Sequence, residues 1–153
     1  MKKISALITS LLLMALCVSP AFAANAKKDY SHLKGTEINV YNWGEYIADG
    51  SDDTMDVNAL FEKETGIKVN YTTFDSNENM YNKLKSGGAN YDIVIPSDYM
   101  IARLIEEGLV QKIDFGNIPN YSNIMDKYKG LYFDPNDEYS VPYNVGMVGV
   151  IYN

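Results

Sequence analysis

Hydrophobic positions along this chain switch between two periods. Ile38, Val40, Tyr41 and Trp43 predict a strand, which Gly44 and the Gly50-Ser51 step interrupt. Val57, Leu60, Phe61 and Thr65 recur at helical spacing, with Ser51, Asp52 and Asp53 as start signals and Gly66 where a helix-ending glycine belongs. Ile67, Val69, Tyr71 and Thr73 alternate and predict a second strand. Asp75-Ser76-Asn77-Glu78 reads as a helix cap with an acid in the first turn. Met80 and Leu84 follow on one helical face, and Gly87-Gly88 ends it. Ile93-Val94-Ile95 is an unbroken apolar run, expected as a strand buried on both faces, and Pro96 closes it. Ser97 or Asp98 then caps a helix carrying Met100, Ile101, Leu104 and Ile105, up to Gly108. This alternation predicts βαβ units, and so an α/β fold with a parallel sheet.

Beyond Gly108 the pattern loosens. Val110 to Ile113 is expected as a short segment, 117–120 as loop, and 122–128 as a helix. Asp134-Pro135-Asn136-Asp137 is a turn run, and the apolar stretch 145–152 predicts a further strand. A parallel strand at that place calls for a crossover after it. The expectation is therefore that the 153 residues are part of a longer protein.

The first residues change the picture of where the protein works. Lys2 and Lys3 precede an apolar run from Ile4 to Val18, followed by Pro20 and Ala21-Phe22-Ala23. That order predicts an export signal, residues 1–23, cleaved after Ala23; the apolar run is too short for a spanning helix. An alternative is lipid anchoring at Cys17, although Leu16 stands where such a signal wants a small residue. Cleavage removes Cys17 with Lys2 and Lys3, leaving 11 basic against 20 acidic residues and no thiol. The whole chain already carries a net charge of −7, and this acidity argues against nucleic acid as a partner. One Cys and one His exclude a disulfide framework and a poly-His or Cys-cluster metal centre, and no cofactor is expected.

Ligands of open parallel sheets bind beyond the C-terminal ends of the strands. Two such ends combine aromatic rings with polar groups: Trp43-Gly44-Glu45-Tyr46 and Ser97-Asp98-Tyr99. Aromatic faces attract cations and cover methylene chains, and carboxylates bond ammonium groups. The combination suits an aliphatic polyamine. The plainer reading makes Trp43 and Tyr46 core aromatics and Asp98 a cap.

The same residues carry a family resemblance. From Glu37 onward the chain resembles the spermidine/putrescine-binding proteins of bacterial polyamine ABC transporters. The resembling phrases are Tyr41-Asn42-Trp43-Gly44-Glu45-Tyr46, the helix phrase from Phe61 to Val69, Ser76 to Tyr81, Tyr91 to Tyr99, Phe133-Asp134-Pro135 and Tyr139 to Tyr143. The resemblance implies a two-lobed periplasmic solute-binding protein of type II that closes on its ligand. This chain would cover most of the first lobe (37–143), after a flexible lead-in (24–36), with the start of the interlobe crossover at 144–153. Trp43 and Tyr46 would wall the methylene chain, Glu45 would pair with an ammonium nitrogen, and Ser97 and Tyr99 would line the same cleft. Gly44 stands where the family often has a hydroxyl residue, and Met100 where it often has an aromatic. The resemblance further implies a monomer, periplasmic location, and the membrane permease subunits of an ABC transporter as partners. It implies no enzyme activity. Two alternatives stay open: the same fold with another solute, or a carboxylate-based secreted hydrolase.

Overall fold

The computed structural model describes residues 29–151, apart from Ala89 and Val148. The expected export signal, with Ala23 and Cys17, lies outside the described residues. The described residues from 33 onward form one compact unit. Its elements are β1 (Glu37–Trp43), α1 (Val57–Thr65), β2 (Lys68–Phe74), α2 (Asn77–Lys85), β3 (Ile93–Val94) and α3 (Asp98–Glu106). The three strands are parallel in the order β2-β1-β3, so both helical connections are crossovers, as the alternating pattern predicts.

Local chemistry sets each boundary. Gly35 donates its N–H to the Gly66 carbonyl and Thr36 accepts from Lys68, so the chain is tied to the second strand before β1 begins. Register then runs from Glu37 opposite Lys68 to Trp43 opposite Phe74. Helix α1 is capped by Asp56, whose carboxylate accepts from the Ala59 N–H; the expected start signals at 51–53 lie in the preceding turn. Those residues miss the cap because Asp52 and Asp53 adopt positive φ, 50° and 60°, and turn the chain. Gly66 ends α1 at φ 74°, a left-handed position where its missing Cβ would stand 2.7 Å from Lys34 Cγ. Ser76 caps α2 by accepting from the Asn79 N–H, as the sequence predicts.

One face of the sheet holds the core. Tyr41 and Phe74 project towards Met80 and Tyr81 of α2 and Met100 and Leu104 of α3. Tyr91 stacks on Tyr41 at 4.3 Å, Phe74 meets the Tyr41 ring edge-on at 4.9 Å, and Lys83 Nζ lies 4.9 Å from the Tyr41 ring centre. Several of the chain's many tyrosines are thus core residues with a wet rim.

A polar clamp closes the far end of the two helices. Glu107 accepts from the Tyr81 hydroxyl at 2.7 and 2.8 Å, from Lys85 Nζ at 2.9 Å and from Arg103 Nε at 3.0 Å. The Tyr81 hydroxyl first, then the two cations, hold the Glu107 carboxyl down at about 2 against an ordinary 4.5. Because the folded value is depressed, the stability it contributes is complete above about pH 4.5 and lost as pH falls towards 2. The melting temperature should therefore drop over that window. Glu107→Gln should lower it at neutral pH and flatten the acid limb; an acid limb as steep as wild type would refute this role.

Three sequence expectations are corrected. The run 93–95 is not buried on both faces: β3 is two residues long, lies at the sheet edge, and leaves Ile93 49% exposed. The helix expected over 122–128 is replaced by short 3-10 turns at Pro119–Asn123 and Asp126–Tyr128. The strand expected over 145–152 is absent among the described residues, where Val145, Met147, Val150 and Ile151 are exposed. Strand-forming side chains do not make a strand without a neighbouring ladder to pair with.

The turn run at 134–137 does form. Asp134 is buried and accepts from the N–H groups of Glu138, Tyr139 and Ser140 and from the Ser140 hydroxyl. Burial pushes its carboxyl up, but the four donors together outweigh it and hold the carboxyl below its ordinary value.

Candidate functional site

Parallel strands all end at one edge of their sheet, so the loops after β1, β2 and β3 share that edge. Tyr41 pairs with Val94, and Ile95 donates to the Tyr41 carbonyl, which sets Trp43 level with Pro96. The two sequence-predicted groups, 43–46 and 97–99, therefore follow adjacent strands about 4.8 Å apart in the hydrogen-bonding direction.

Trp43 is half-buried, with its ring 4.6 Å from Phe74 and 6.2 Å from Tyr46. It is both a core contact and a wall of the edge, so the plainer reading of this residue is half right. Tyr46 is 41% exposed and faces Tyr143 in a near-parallel stack at 6.4 Å. The Tyr143 hydroxyl donates to the Tyr46 carbonyl and fastens the two segments. Beside them runs an open groove lined by Glu45, Tyr46, Ile47, Ala48, Asp49, Ser51 and Thr54.

Glu45 is exposed and sits at φ 60°, in the left-handed region. Side chains with a Cβ reach that region at a cost of roughly 1–2 kcal/mol. Here the residue that adopts it carries a carboxylate and lines the groove. A Cβ at Gly44 would meet nothing within 4 Å, so this position has room for a side chain and carries none.

Ser97 occupies the cap position of α3 but makes no side-chain capping bond. Its hydroxyl instead accepts from Asn77 Nδ2 at 3.0 Å, and its N–H donates to Asn77 Oδ1 at 3.1 Å. The same Nδ2 donates to the Tyr99 hydroxyl at 2.9 Å, and that hydroxyl donates to Glu78 Oε1 at 3.1 Å. Asp98 accepts from the Tyr99 N–H, and its carboxylate beside the Tyr132 hydroxyl pushes that phenol above its ordinary value.

Asn77, Glu78 and Tyr143 are the residues that sequence reasoning passed over. Asn77 and Glu78 read as parts of a cap, and the link from 77 to 97 and 99 is long-range. Tyr143 ends a phrase noted for its resemblance only.

The electrostatics of this edge run against the usual one. Helix N-termini favour anions. Here the loops 44–56, 75–78 and 97–99 carry Glu45, Asp49, Asp52, Asp53, Asp56, Asp75, Glu78 and Asp98, and no Lys or Arg. Side-chain acceptors already take up part of the helix N–H groups: Asp56 and Ser76 cap α1 and α2. The edge is acidic, with aromatic rings beside the carboxylates. Among the described residues no cluster of His, Cys, Asp or Glu is arranged to hold a metal.

Comparison with known proteins agrees with this architecture. The sequence profile of the family described as bacterial extracellular solute-binding protein matches residues 41–153. The spermidine/putrescine-binding periplasmic protein of Escherichia coli (strain K12) is 45% identical over 112 residues, 72% of this chain and 30% of that protein. A putrescine-binding periplasmic protein of Pseudomonas aeruginosa is 42% identical over 118 residues, 76% of this chain and 30% of the relative. Among solved structures, a spermidine/putrescine ABC transporter substrate-binding protein from Streptococcus pneumoniae superimposes with a TM-score of 0.65 at 42% identity. The match covers 71% of this chain and 32% of that one. A lipoprotein of Treponema pallidum superimposes at 0.63 with 33% identity, over 71% and 32% of the two chains. The chain thus spans about 30% of the length of the curated relatives it matches. A profile match over more than half the residues, with relatives at this identity, places the chain in the family: it belongs to the bacterial extracellular solute-binding proteins.

Proposed function

We propose that this chain forms one wall of the polyamine site in the extracytoplasmic substrate-binding component of an ABC importer. The observation that carries the reading is the strand edge itself: Trp43 and Tyr46 beside the outward-set Glu45, among loops rich in carboxylates and free of basic residues. The rings cover methylene groups and Glu45 meets an ammonium nitrogen. Ser97 and Tyr99 line the neighbouring strand end. Gly44 contributes backbone only. Relatives named for spermidine and putrescine support the same ligand class. The ligand would be handed on by a monomer to membrane permease subunits, with no chemical step and no nucleic acid involved. The loops 44–56, 75–78 and 97–99 offer an anionic solute no Lys or Arg.

Calorimetry with spermidine and putrescine on the natural gene product tests the reading. Both should release heat that amino acids and sugars do not. Glu45→Gln should weaken binding by roughly tenfold or more, since an enclosed ammonium would lose its charged partner. An unchanged affinity would remove Glu45 from the site. Trp43 is the only tryptophan among the 153 residues, so once any tryptophans elsewhere in the natural gene product are replaced, its fluorescence gives a second readout.

The order of Lys2-Lys3, the apolar run and Ala21-Phe22-Ala23 supports export with a mature N-terminus at Ala24. Mass spectrometry of the exported protein should find it; a diacylglyceryl Cys17 at the N-terminus would make the protein a lipoprotein instead.

A further inference from the structure

Asn77 is 4% exposed and every polar atom of its side chain is used. Its orientation is fixed by chemistry. Oδ1 faces the Ser97 N–H, which can only donate, so Nδ2 must face the two hydroxyls. The amide then spends both hydrogens, one on Ser97 Oγ and one on the Tyr99 oxygen. Tyr99 sends its own proton to Glu78. A hydroxyl whose hydrogen is held by a carboxylate, with one lone pair taken by an amide, offers an incoming ligand an acceptor only.

We propose that Asn77 is the positioning residue that sets ligand polarity at the end of β3, holding Ser97 and Tyr99 so that Tyr99 presents an oxygen acceptor to an N–H donor of the ligand. The inference rests on the polyamine reading for its ligand. Glu78 completes the device by holding the phenol proton. Ser97 makes this contact in place of a side-chain capping bond to α3, a bond that stabilises a helix where it forms. A cap residue whose hydroxyl accepts nothing from its own helix and locks onto a buried amide 20 residues away is serving the edge with that side chain rather than the helix.

The test is a cycle on the natural gene product, read by spermidine calorimetry. Asn77→Ala should weaken binding about tenfold. In a background already carrying Ser97→Ala and Tyr99→Phe, the same change should cost less than about twofold, because Asn77 has nothing left to position. Equal losses in both backgrounds would make Asn77 a structural residue and overturn the proposal, as would no loss at all. Asn77→Asp keeps the acceptor for the Ser97 N–H but has no N–H to give; it should fold even if Asn77→Ala does not, and show a similar loss. A wild-type protein that takes up no spermidine overturns the ligand reading alone. The clamp is then read without ligand, from hydrogen exchange of the Ser97 amide, which should quicken at least tenfold in Asn77→Ala and stay close to wild type in Asn77→Asp, where the acceptor remains; unchanged exchange in Asn77→Ala overturns it.

Discussion

Spermidine should bind residues 24–153 by themselves no more tightly than about millimolar. Tyr46 is 41% and Tyr99 49% exposed, and Glu45 stands in solvent. An exposed ion pair contributes about 0.2–1 kcal/mol, and an exposed cation–π contact about 0.5–1 kcal/mol. Two or three such contacts fall short of the freedom a ligand loses on binding, about 4 kcal/mol or more. Millimolar affinity corresponds to about 4 kcal/mol of net binding, more than these exposed contacts leave over. The relatives are more than three times as long as the segment they share with this chain. A second wall would exclude water and turn the same contacts into buried ones. Calorimetry on the isolated segment, beside the natural gene product, reads the difference directly. Micromolar binding by the segment would show that the single edge is a complete site.

The parts of the fold that were legible in the sequence are those fixed within a few residues. Ser76 and Gly66 sit where their local chemistry demands, and β1 and β2 alternate because one face meets the core. The misreadings concern what lies across from a segment. Ile93 looks like a doubly buried residue, yet burial depends on neighbours that composition does not name, and β3 has a strand on one side only. Val145 and Val150 have strand character, but no ladder receives them among the described residues. The turns at 52–53 and 137 rest on aspartates at positive φ, which no hydrophobic period reveals.

The candidate site divides in the same way. Trp43, Glu45, Tyr46, Ser97 and Tyr99 were visible because strand ends are visible and because aromatic and acidic residues there have a chemical meaning. Which of them act together was not. The grouping of Ser97 with Tyr99 runs through Asn77, and the fastening of Tyr46 runs through Tyr143, 97 residues further on. Such bonds leave no periodic trace, because one amide or one phenol suffices.

Leu104→Ala should cost about 2–5 kcal/mol, by lost burial and by the cavity left behind. Leu104 is 1% exposed and packs in the single cluster that joins α2, α3 and the sheet. Total stabilities of domains are about 5–15 kcal/mol, so the loss would be a large share. Ile93→Ala is the contrasting change. Its side chain is 49% exposed at the sheet edge, and less than about 1.5 kcal/mol should be lost, half or less of the burial value of an aliphatic side chain. Urea denaturation of both variants decides between them: the midpoint should fall steeply for Leu104→Ala and slightly for Ile93→Ala, at similar slopes. The consequence reaches the site, because α3 carries Tyr99 in its first turn and is held down by Met100 beside it and by Leu104, five residues further on. With Leu104 removed, the Ser97 amide and the Tyr99 hydroxyl would lose the fixed distance to Asn77 on which their joint orientation depends. Equal midpoints for the two variants would mean that α3 is anchored elsewhere, and that the rigid seat of the β3 end must be sought outside this core.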